Sequence, residues 1–147
     1  MTAREYLNHI KTSVQTFDAL YRRLEEIRTR IEGVKGIAYD KVRVQTSPKN
    51  ETENLIAELI DAESKLSKEA REHFDEVIEC AVRIYKLPSH RQARVLELRY
   101  ISGMSWQKIA DELGIEYRSA TRIHGKALRN FEKMYGGVLE VSHKSVI

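Results

Sequence analysis

Residues 105–131 read SWQKIADELGIEYRSATRIHGKALRNF. Gly114 divides the stretch into two amphipathic segments, 105–113 and 116–134, each with apolar residues at three- and four-residue spacing. Two helices joined by so short a turn need a small residue where they cross. They also need a turn residue that accepts positive φ and an apolar residue that locks the second helix. Ala110, Gly114 and Ala120 stand at those places, and Ile109, Leu113, Ile115 and Ile123 supply a shared core. Ser105 is placed to cap the first helix. The pattern predicts a helix-turn-helix.

The second of these helices has two faces of opposite chemistry. At about 100° per residue, Arg118, Arg122, Gly125 and Arg129 fall within about 60° of one another. Ala120, Ile123, Ala127 and Phe131 lie on the opposite side. Residues 117–133 hold five Lys/Arg (118, 122, 126, 129, 133) against one acidic residue, Glu132, for a net +4. A basic face alone marks only a solvated surface. On the second helix of a helix-turn-helix it is what recognition of nucleic acid requires, with its first residues toward base edges and later cations toward phosphate. Lys126 and Arg129 take the phosphate role in this reading. A glycine inside a helix costs about 1 kcal/mol relative to alanine. Gly125 lies on the basic face, where a missing side chain allows the helix backbone to approach a groove wall closely.

The chain of 147 residues is 41% hydrophobic and 32% charged, with two prolines, as in a helix-rich protein of one domain or a small domain with an extension. Its net charge of +3 is unevenly spread. Residues 1–50 carry ten Lys/Arg and six Asp/Glu (+4), residues 51–86 five and ten (−5), and residues 87–147 ten and six (+4). The basic C-terminal part suits an acidic polymer and the acidic middle does not. No apolar run exceeds three residues, so a membrane span and a signal-peptide core are not expected. The lone cysteine, Cys80, excludes an internal disulfide framework and fits a reducing cytoplasm.

Upstream, the spacing of Leu7, Ile10, Val14, Phe17, Leu24, Ile27 and Ile31 predicts a long helix over 4–32, with Gly33 as its C-cap. Gly33, Gly36 and Ser47-Pro48 predict a loop over 33–49, in which Val42-Arg43-Val44 reads as one short extended segment. A second long helix is expected from about 51 to 86, opened by Asn50 and Glu53 at capping-box spacing. Leu55, Leu59, Ala62, Leu66, Ala70, Val77, Cys80 and Ile84 form its main stripe. Ile56, Ile60, Phe74, Ile78 and Ala81 widen it, which implies more than one packing partner. The simplest arrangement is an antiparallel hairpin of the two long helices, which can also join a second copy as a homodimer. Leu87-Pro88 stops the second helix, and shorter helices follow at about 90–101, 105–113 and 116–134, the last ended by Gly136-Gly137. The expected fold is all-α. Its parts are a long-helix region (1–86, with the loop 33–49), a three-helix module (87–135) and a tail (136–147).

Residues 87–131 resemble sigma-70 region 4, the sigma-factor module that reads the promoter −35 element. The likeness runs through LP at 87–88, VLELRY at 95–100, SWQKIADELGI at 105–115 and KALR at 126–129. The whole layout is similar to that of phage-encoded, ArpU-type late transcriptional regulators, whose pattern GIAYDKVRVQTSP at 36–48 and RIHGKAL at 122–128 also resemble. That resemblance implies a phage or prophage protein that activates late genes with host RNA polymerase in the bacterial cytoplasm. Carried over by position, the base-reading places fall on Tyr117, Arg118, Thr121 and Arg122, and backbone-contacting places on Arg91 and on Ser105, Gln107 and Lys108. Arg118 replaces an acidic base reader and Thr121 an arginine, so a standard −35 hexamer is not the expected target. Nothing resembles sigma region 2, which argues against promoter melting by this chain alone.

Other residues carry less. Five histidines (9, 73, 90, 124, 143) lack metal-ligand spacing, and His124 faces the core margin, as a partner-satisfied structural residue does. Cys80 reads as a buried structural thiol, and Trp106 as a packing residue. No glycine-rich phosphate loop or catalytic triad is present, and the chain reads as non-enzymatic, without cofactor or metal. The expected partners are double-stranded DNA, RNA polymerase and a second copy of the chain, with no membrane. A different class, a small-terminase-like DNA-packaging or scaffolding protein, also combines a helix-turn-helix with an oligomerising helical region.

Overall fold

The structure, a computed structural model, describes residues 1–41 and 49–139, with side chains described at 1–36 and 51–139. All elements among the described residues are helical: α1 (Ala3–Lys41), α2 (Lys49–Tyr85), α3 (His90–Leu96), a π-helical segment (Glu97–Ile101), α4 (Trp106–Leu113) and α5 (Tyr117–Tyr135). The all-α fold with a long N-terminal helical hairpin is as the sequence predicts.

Three expectations need correction. Helix α1 does not stop at Gly33 but runs through Gly33 and Gly36 to Lys41. A capping glycine must turn left-handed, and among the described residues positive φ occurs only at Gly103 and Gly114. Two exposed helical glycines cost about 1 kcal/mol each, which weakens the helix without ending it. The loop expected over 33–49 therefore shrinks, and Val42-Arg43-Val44 lies outside the described residues. Helix α2 begins at Lys49, so Asn50 is already helical and is not the cap. The helix expected over 90–101 changes pitch at Glu97, where a wider π turn takes over to Ile101.

The chain forms two compact units, Thr16–His73 and Met1–Gln15 with Phe74–Ile147. In the first, α1 and α2 contribute Leu24, Ile31, Leu59 and Ala70 to a narrow buried seam. Arg28 Nε donates to Glu63 Oε1 across it at 3.2 Å. Both groups are partly exposed, so the pair contributes little, about 0–1 kcal/mol.

The second unit holds α3, the π segment, α4 and α5 together with the opening turns of α1 and the last turns of α2. One core joins Tyr6, Leu7 and Ile10 to Cys80, Ile84, Leu96 and Phe131. The Tyr6 and Phe131 rings stack at 6.0 Å, and Arg83 donates to the Tyr6 hydroxyl at 3.0 Å. The Ala3 N–H donates to the Glu132 carboxylate, which ties the start of α1 to the end of α5. The Cys80 thiol is fully buried, as expected, and burial pushes it up to about 12. Beside this core, Ser13 donates to Glu76 Oε2 at 3.0 Å, and the His9 ring lies 3.3 Å from the same oxygen. The shared carboxylate satisfies a buried hydroxyl.

Candidate nucleic-acid interface

The turn between α4 and α5 is built as its residues dictate. Ser105 Oγ caps α4 by accepting the Lys108 N–H at 3.3 Å. Gly114 closes the helix at φ 63°. The Ile115 N–H donates to Ala110 O at 3.0 Å and the Gly114 N–H to Asp111 O at 3.3 Å, which is a Schellman motif. Ala110 and Ala120 are buried where the helices meet, in a second core with Val95, Leu98 and Ile109. Ile123, Ile115 and Leu113 pack against it.

The inner side of α5 is held by polar contacts as well as packing. His124 Nε2 and the Tyr100 hydroxyl are 2.7 Å apart, which joins α5 to the π segment. The Trp106 ring meets the His124 ring edge-on at 4.6 Å, which joins α5 to the first turn of α4. Arg99 lies over the Trp106 ring at 4.7 Å and donates to Met104 O at 3.0 Å, which fixes the connection before α4. Burial, with Arg4 and Arg99 nearby, pushes His124 down to about 4, so the imidazole is neutral at pH 7. The structural roles expected of His124 and Trp106 are borne out. Neither Tyr100 nor Arg99 stands out in the sequence as a partner of these rings. The hydrogen-bonding partner that a core-margin histidine requires is the only signal that points to Tyr100.

The outer side of α5 is basic and unneutralised. Arg118, Arg122, Lys126 and Arg129 are exposed, and none has an ion-pair partner among the described residues. Arg28, Arg83 and Arg94, by contrast, each face a carboxylate. Tyr117 is 50% exposed at the first turn. The Thr121 hydroxyl reaches Arg118 O at 3.0 Å and Tyr117 O at 3.3 Å, so its proton is held by the helix and its lone pairs face outward. Glu116 gives no side-chain cap to α5, which leaves the first N–H groups of the helix open. A Cβ on Gly125 meets only Arg129 Nη1, at 3.8 Å, so no neighbour among the described residues requires a glycine there.

The remaining candidates lie on other elements. Gln107 is exposed on α4 and donates to Asp111 Oδ1 at 3.1 Å. Lys108 is exposed on the same helix. Arg91 is exposed on α3 and lines an open groove of about 390 Å³ with Tyr85, His90, Arg94 and Leu113. Tyr117, Arg118, Thr121 and Arg122 occupy the first turns of one helix, with Gly125 and Arg129 on the turns that follow.

The family model of the ECF sigma factor matches residues 11–132. The chain belongs to the ECF sigma factor family. It is thereby a sigma-like, DNA-binding transcription regulator of a non-enzymatic class. This ECF sigma family match begins well before residue 87 and takes in most of both long helices, beyond the stretch that resembles region 4. The chain matches no curated protein and no solved structure. Among the described residues no helix is long and apolar enough to cross a membrane, and no His/Cys/Asp/Glu cluster could hold a metal ion.

Proposed function

We propose that this ECF sigma family protein reads promoter DNA through α5 and regulates late genes of a phage or prophage together with the host RNA polymerase, in the bacterial cytoplasm. The observation that carries the reading is the basic face of α5. Among the described residues four cations there have no carboxylate partner, on a helix whose opposite side is locked to α4 and to the π segment. Tyr117, Arg118, Thr121 and Arg122 read bases, Arg118 and Arg122 being able to take guanine in bidentate fashion. Arg91, Ser105, Gln107, Lys108, Lys126 and Arg129 meet phosphate. Ser105 contributes through its O–H, because its oxygen already accepts the Lys108 N–H. The ArpU-like strings at 36–48 and 122–128 support the phage assignment.

Selection of bound sequences from a random DNA pool, followed by footprinting on the recovered site, tests the proposal. Each bidentate contact supplies about 1–3 kcal/mol of discrimination. Arg118→Ala with Arg122→Ala should therefore cost the selected site at least about tenfold more affinity than random DNA. Recovery of no preferred sequence, or equal weakening on both DNAs, refutes the base-reading assignment.

A further inference from the structure

Helix α2 offers two apolar stripes to the unit formed with α3–α5, and that core uses one of them. Cys80 and Ile84 are fully buried in it. Phe74, Ile78, Val82 and Tyr85 follow at spacings of four, four and three, within an arc of about 80° turned away from the buried stripe. They are 46%, 47%, 48% and 58% exposed. Four large apolar side chains in one row about 17 Å long are the kind of contiguous patch that marks an interaction site.

The margin of the row says what covers it. On the side away from the core stand Asp75 and Lys86, both exposed and neither in an ion pair among the described residues. They lie equally far from the midpoint between Cys80 and Ala81, with opposite charge. A surface of this kind is complementary to itself under a two-fold axis. Antiparallel pairing about that midpoint brings Asp75 against Lys86 of the second copy twice over and sets Ile78 beside Val82 of the second copy. Parallel pairing sets like charges against each other.

We propose that the 74–85 face of α2 is a homodimer interface, formed antiparallel with the same face of a second copy. This goes beyond the DNA-reading proposal and does not rest on it, since it is read by mass and needs no DNA. Sedimentation equilibrium of the full chain should show reversible association from 17.1 kDa to twice that mass as concentration rises. Ile78→Asp should hold the chain monomeric with its helical circular dichroism unchanged. Asp75→Lys and Lys86→Asp should each weaken association by about tenfold, and the double reversal should restore it. Three results overturn the proposal: a wild-type chain that stays monomeric up to about 100 µM, association that survives Ile78→Asp, or a double reversal no tighter than the single ones.

Discussion

Acidification should loosen the helix-turn-helix through one side chain, His124. Its ring is 9% exposed, sits against Tyr100 and Trp106, and is held down to about 4, against an ordinary 6.5. Burial is the leading cause, with the positive charges of Arg4 and Arg99 behind it. The unfolded chain takes up this proton as the pH falls through 6.5, whereas the folded chain refuses it until about 4. The contribution to stability is therefore complete above pH 6.5, declines through the window down to about 4, and is lost below it. Binding one proton at these two affinities costs the folded state about 2 kcal/mol between pH 8 and pH 5. Urea unfolding followed by the fluorescence of Trp106, the chain's single tryptophan, reads this unit directly. The comparison is wild type against His124→Gln, each at pH 8 and pH 5. The variant should be the less stable protein at pH 8, yet should lose about 2 kcal/mol less on acidification. Equal acid losses in the two proteins would mean that the buried imidazole is not what resists the proton.

Other outcomes follow from the same geometry. Arg129→Ala should weaken binding to every DNA sequence alike and lower the slope of log affinity against log salt by about one, measured by titration across a salt series. Gly125→Leu should raise thermal stability, by up to about 1 kcal/mol, since only Arg129 Nη1 stands near the new Cβ; the same change should weaken DNA binding. Unchanged affinity in that variant would remove close backbone approach as the reason for the glycine. Gly114→Ala must adopt φ near 63° at the turn and should cost about 1 kcal/mol in a denaturant melt, although open space surrounds the site.

The helix-turn-helix was legible because its constraints are local. Ala110, Gly114 and Ala120 sit within eleven residues, and a turn that needs left-handed backbone leaves glycine as the natural choice. The two faces of α5 were legible for the same reason, as periodicity alone separates Arg118 and Arg122 from Ala120 and Phe131. The end of α1 was not, because Gly33 has the composition of a cap, while only backbone conformation distinguishes a cap from a tolerated helical glycine. The π turn at Glu97–Ile101 leaves no compositional mark, since it changes the pitch of the helix without changing which residues are apolar. The docking of Tyr6, Leu7 and Ile10 onto Phe131 depends on contacts between segments more than a hundred residues apart, which periodicity within one helix does not encode.

That last feature has a cost in time. The hydrogen bond from Ala3 to Glu132 joins residues 129 apart in the chain. During synthesis at about 5–20 residues per second, the first turns of α1 are made roughly 6–26 seconds before the end of α5 exists. Through that interval Tyr6, Leu7 and Ile10 have no finished core to enter, and they stand as exposed apolar surface open to chaperones or to a neighbouring nascent chain. A fusion partner attached at Met1 would crowd the same seam after folding, so an N-terminal tag would disturb the unit that holds α4 and α5 more than its distance in sequence suggests.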